Sequence, residues 1–67
     1  MLVNFGKKVR EERRKRGLTQ EELGKIAGMH RTYIGAVERG EKNLTLTNLQ
    51  RIARVLNVKT ADLLEDL

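Results

Sequence analysis

Arg31, Thr32 and Tyr33 stand in a row and bring three kinds of recognition chemistry together. A guanidinium can donate two parallel hydrogen bonds to N7 and O6 of guanine, and a threonine can offer a hydroxyl or a methyl group to thymine. The tyrosine adds an aromatic face and a phenolic donor, suited to a thymine methyl, a phosphate or a deformable base step. An exposed run of this kind is often plain helix surface. Its place, one turn after Gly28, favours the more specific reading.

Catalytic chemistry is poorly served. The chain has no serine and no cysteine, a single histidine, and two aspartates, Asp62 and Asp66, so no catalytic triad can be assembled. His30 lacks companion ligands for zinc. The adjacent pairs Glu11–Glu12 and Glu21–Glu22 point to different sides of a helix, and neither offers two convergent carboxylates. These residues imply a protein that is not an enzyme and needs no metal, cofactor or small-molecule ligand.

The residues on either side of Gly28 read as two short helices meeting at a steep angle, a helix-turn-helix. Thr19 and Glu22 make a Thr-x-x-Glu capping box at the start of the first helix, and Leu23, Ile26 and Ala27 supply its apolar stripe. Gly28 can adopt the positive φ that reverses the chain, a conformation most side chains resist. Gly24 leaves the helix bare where the next one must pass. The second helix should run from His30 or Arg31 to Glu38 and end at Gly40, with Ile34 and Val37 facing inward. Leu23, Ala27, Met29, Ile34 and Val37 then form a wedge between the two. An ordinary helical hairpin has no need of these offsets; in one, Gly24 would be only a weak helix position costing about 1 kcal/mol relative to alanine.

Three more helices complete an all-α fold of five. Asn4 can cap the first, whose Phe5, Val9 and Arg13 share a face before Gly17 stops it. Thr45 can cap the fourth, in which Leu46, Leu49, Ile52, Ala53 and Leu56 recur at three- and four-residue steps. Thr60 or Lys59 opens a last short helix carrying Leu63 and Leu64. No segment alternates like a strand, and no repeat, linker or low-complexity stretch divides residues 1–67, which points to one compact bundle and one domain.

The net charge of +5 sits at one end. Residues 1–19 hold seven bases against Glu11 and Glu12, while the remainder balances to zero. Such asymmetry suits a polyanion, either nucleic acid or an anionic membrane surface. It is also compatible with a solvated helix laced by Lys7–Glu11, Lys8–Glu12, Glu11–Lys15 and Glu12–Arg16, each worth a few tenths of a kcal/mol. No apolar run approaches the roughly 18 residues of a spanning helix or the pattern of a signal peptide, so a cytoplasmic protein without membrane contact is expected. A chain this short buries only about 60% of its unfolded surface, and without disulfide or metal, self-association is a natural supplement.

The strings Gly17-Leu-Thr-Gln-Glu-Glu-Leu23 and Val37-Glu-Arg-Gly40 resemble the helix-turn-helix domains of the Cro and phage-repressor type, a likeness that extends from about Gly6 to Leu64. Within that family, His30-Arg-Thr-Tyr-Ile34, Glu38-Arg-Gly40 and Asn43-Leu-Thr-Leu46 look most like the controller proteins of restriction-modification systems. Two departures stand out: Glu12 replaces a common leucine, and Gly24 a common alanine. The resemblance implies a lambda-repressor-like bundle acting as a homodimeric, sequence-specific DNA-binding regulator that represses or activates transcription. The second helix of the motif would enter the major groove by its N-terminal end, with Arg31, Thr32 and Tyr33 on the bases. Thr19, Gln20, His30, Arg39, Lys42 and Asn43 would meet phosphates. Plainer roles exist for some of them: Gln20 completing the helix cap, His30 capping the next helix, Arg39 sitting in solvent.

Two copies would read the inverted half-sites of a double-stranded operator, about one helical turn or roughly 34 Å apart. Val55, Leu56, Val58, Leu63 and Leu67 are the apolar candidates for the dimer seam, and some of them must also close the core. Arg13 and Glu38 fall near apolar stripes, and related repressors carry an ion pair here, which is expected to join helix one to helix three with partial burial. A rival reading is an antitoxin-like or adaptor module that binds a protein through the C-terminal leucines, with DNA secondary. A basic helix on anionic lipid fits less well, since Phe5 is the only phenylalanine and no tryptophan is present to anchor it.

Overall fold

Side-chain caps and left-handed residues cut the chain into its helices, and the computed structural model describes residues 2–41 and 44–64. The helices are α1 (Leu2–Lys15), α2 (Gln20–Ala27), α3 (Arg31–Glu38), α4 (Leu46–Leu56) and α5 (Thr60–Leu63). Among the described residues there is no strand. At the start of α2 the Thr19 hydroxyl accepts from the Glu22 amide at 3.0 Å, and the Glu22 carboxylate accepts from the Thr19 amide at 2.8 Å, closing the capping box. Thr45 caps α4 in the same way, accepting from the Asn48 amide at 3.1 Å. Gly28 turns the chain between α2 and α3 with φ 75°.

Each helix buries one stripe. Phe5 and Val9 of α1, Leu23 of α2, Ile34 and Val37 of α3, Leu49, Ile52, Ala53 and Leu56 of α4, and Leu63 of α5 form one core. Met29, Tyr33, Leu44, Val55, Val58 and Leu64 pack around its rim. The closest pairing is α2 against α3, with α1 laid across α3 and α4 closing the other side against α2 and α1. This arrangement holds α3 from behind and leaves the residues of its first turn, Arg31 and Thr32, exposed. No helix among the described residues is long and apolar enough to cross a membrane.

Three local expectations are corrected. Asn4 does not cap α1: the helix begins at Leu2 and Asn4 is an exposed residue within it. Val3 lies against Gly40, where an added Cβ would come within 2.9 Å of the Val3 backbone, so a distant contact extends the helix past the cap signal. Ile26 and Leu46 are 61% and 66% exposed, outside the core. Leu23 and Ala27 already fill the inner face of α2, and Leu46 stands in the first turn of α4, ahead of its covered stripe. At Gly24 what comes close is the carbonyl of Met29 in the turn rather than the body of α3.

Candidate nucleic-acid interface

The first turn of α3 is fixed by its own cap. His30 Nδ1 accepts from the Thr32 amide at 3.0 Å, which places the ring proton of the neutral tautomer on Nε2. Arg31 and Thr32 are exposed beside it. The Arg31 guanidinium leans on the Glu21 carboxylate of α2, Nη1 to Oε2 at 3.4 Å, a contact between exposed groups that holds weakly and can be exchanged. Tyr33 is less free. It packs at the rim of the core, and its phenolic oxygen accepts from Asn48 Nδ2 of α4 at 3.3 Å. Glu21, Lys25, Met29, His30 and Arg31 line an open hollow of about 330 Å³ at this end of the motif. The surface can therefore offer two exposed groups, Arg31 and Thr32, next to one braced aromatic ring.

At the other end of α3 a buried carboxylate gathers three helices. Glu38 is 2% exposed, and its Oε2 accepts from Arg13 Nε at 2.6 Å while Oε1 accepts from Arg13 Nη2 at 3.0 Å. Arg13 gives its remaining nitrogen, Nη1, to the Leu18 carbonyl at 2.7 Å. The expected ion pair is thus formed, and it is almost wholly buried rather than partly so. Arg10 Nε of α1, at 3.3 Å, and Gln20 Nε2 of α2, at 3.1 Å, also donate to Oε1. Burial pushes the Glu38 carboxyl up, but the Arg13 and Gln20 hydrogen bonds, the Arg13 charge and Arg10 together hold it below the ordinary glutamate value. The site carries two guanidinium groups for one carboxylate, so it is cationic where it reaches the surface at Arg10.

A helix-turn-helix family model matches residues 9–63 of the chain. The chain belongs to the helix-turn-helix family. Control protein C.SmaI of Serratia marcescens is 50% identical over 56 residues, covering 84% of this chain and 67% of that protein. The solved restriction-modification controller protein C.AhdI from Aeromonas hydrophila superposes with a TM-score of 0.89 at 42% identity, over 92% of this chain and 94% of that one. SinR, described as a master regulator for biofilm formation and solved in complex with DNA, gives a TM-score of 0.85 at 28% identity, over 90% of this chain and 97% of that one.

Within this helix-turn-helix chain the remaining candidates fall in different places. Thr19 and Gln20 open α2, and Gln20 neither hangs free nor completes the cap, because its amide is engaged by Glu38. Arg39 follows α3, exposed, with Nε on the Glu41 carboxylate at 3.1 Å. Lys42, Asn43 and Leu67 lie outside the described residues. Leu56 and Leu63 are 0% and 2% exposed, so both are core residues with no surface left for a second copy. Val55 and Val58 keep part of theirs. Of the helix pairs expected along α1, Glu12 takes Arg16 at 2.8 Å and also Lys15 at 3.1 Å. Arg10 and Asn48 were not singled out from sequence, and Glu21 was weighed only as half of a carboxylate pair. Only Glu21 had a usable signal, an acid in the first turn of the helix that precedes α3.

Proposed function

We propose that this chain is a sequence-specific DNA-binding transcriptional regulator of the controller type, in which α3 lies in the major groove. Arg31 and Thr32 read base edges, Tyr33 contributes its ring, and Thr19, Gln20, His30 and Arg39 meet the backbone, with Lys42 and Asn43 following from the family resemblance. The observation that carries this reading is the exposed, self-capped first turn of α3, with Arg31 and Thr32 standing outside the core. The relatives support it, since one is named a restriction-modification controller protein, another a control protein, and a third was solved with DNA. Two copies would join through the partly exposed Val55 and Val58 and read an inverted repeat, acting in the cytoplasm.

Selection of bound fragments from a pool of randomised duplexes tests this directly. Recovery of one inverted repeat, with half-site centres about one helical turn apart, is the expected result. Sequence-blind binding that vanishes in moderate salt would instead favour a protein-interaction module.

A further inference from the structure

Gly35 lies in the middle of α3, buried, and its backbone does not need glycine, since positive φ among the glycines is confined to Gly17, Gly28 and Gly40. Glycine is the poorest helix-interior residue after proline, so its presence calls for a reason. The reason lies in what covers it. An added Cβ would stand 3.2 Å from Arg39 Nη1, 3.4 Å from Gln20 Oε1 and 3.7 Å from Gln20 Nε2. All three are side-chain ends. Two polar groups from opposite ends of the helix-turn-helix therefore converge over one bare position, each within 4 Å of it.

Each group already has one protein partner. Gln20 Nε2 donates one of its two N–H groups to Glu38 Oε1 at 3.1 Å, which sets the plane of the amide and leaves the second N–H without a partner among the described residues. Arg39 Nε is occupied by Glu41 Oε2 at 3.1 Å, and its two Nη groups have no hydrogen-bond partner among the described residues. The charges around the spot are Arg10, Arg13 and Arg39 against Glu38 and Glu41, a net positive balance. We propose that Gly35 is a positioning residue: its missing side chain makes a seat in which the Gln20 amide and the Arg39 guanidinium grip the same DNA phosphate, with Glu38 orienting the amide. This rests on the DNA-binding reading above and adds that the two contacts act as a unit governed by a residue that touches no DNA.

The test uses Gly35→Ala, Gly35→Leu, Gln20→Ala and the double variant Gln20→Ala/Gly35→Leu, each melted by circular dichroism and titrated with a mixed-sequence duplex of about 30 base pairs over a range of salt. Gly35→Ala should melt near or above the wild-type temperature, because alanine is the better helix former and only side-chain ends must give way, whereas Gly35→Leu, which pushes Gln20 off Glu38, should melt somewhat lower but remain folded. Gly35→Leu should nevertheless bind about tenfold more weakly, Gly35→Ala about two- to threefold, and the salt slope for Gly35→Leu should fall by about one per protomer. Gln20→Ala should lose a similar factor and add little when combined with Gly35→Leu. A folded Gly35→Leu with wild-type affinity and slope overturns the seat while leaving the DNA-binding reading intact. Failure of the wild-type protein to bind the duplex overturns both. Should Gly35→Leu not fold, Gly35→Ala decides, and unchanged affinity overturns the seat.

Discussion

Arg31 and Glu38 divide the work of α3 between its two ends, and their substitutions should fail in different assays. Arg31→Ala removes an exposed side chain whose partner in the free protein is the equally exposed Glu21, so stability should hardly change. Affinity for the selected operator should fall by about 1–3 kcal/mol, with preference relaxed at one base pair per half-site. Measuring the variant against single-base operator changes checks this; undiminished discrimination would show that another residue reads the base. Glu38→Ala strands the Arg13 guanidinium in the core, where loss of one partner costs about 3–5 kcal/mol. A core of this size supplies little more than that, so the variant should be largely unfolded by circular dichroism at room temperature. Because the folded state holds the Glu38 carboxyl below its ordinary value of 4.5, its contribution is complete above that value and disappears as pH falls through the lower folded one. Acid titration of the wild type should thus show stability falling across that window. The polar types of Arg31 and Thr32 and their distance from Gly28 made the exposed first turn of α3 legible in sequence. The Gln20–Glu38 bond was not, because its partners are 18 residues apart and meet only after α2 and α3 have packed.

The helices were legible where their signals are local. Capping boxes, glycine stops and three-four spacing involve neighbours in the chain, and they fixed α2, α3 and α4 closely. They failed where packing decides instead. The α1 start moved from the Asn4 cap to Leu2, with Val3 resting on Gly40, and the apolar Ile26 and Leu46 were left outside because the core was full without them. A crossing such as Gly6, where a Cβ would strike the Val37 and Glu38 carbonyls, has no mark in the local pattern of α1. Two glycine substitutions separate backbone strain from such crowding. Gly17→Ala meets nothing within 4 Å, so its cost is that of a left-handed residue alone, about 1–2 kcal/mol. Gly40→Ala carries the same strain and also collides with Val3. Thermal melts should rank Gly40→Ala below Gly17→Ala, and equal melting temperatures would remove the Val3 contact from the account.

Five helices with so small a core make association a matter of thermodynamics as well as of operator geometry. With Leu56 and Leu63 committed to the interior, the proposed seam narrows, among the described residues, to the exposed parts of Val55 and Val58. If two copies stabilise each other there, the melting temperature should rise with protein concentration. Sedimentation should give twice the chain mass for the wild type and the single-chain mass for Val55→Glu, whose helix propensity is good but whose charge resists burial. A wild type that sediments as one chain would move the pairing of half-sites to the DNA.

Glu38 Oε1 accepts from Arg13, which ties the helices together, and from Gln20, proposed to hold the duplex, so one oxygen serves shape and grip at once. Reciprocity then applies: whatever favours the ionised carboxylate favours the complex, and the complex in turn resists uptake of that proton. Bound operator should shift the acid midpoint of unfolding downward, and release and melting should follow a common titration curve.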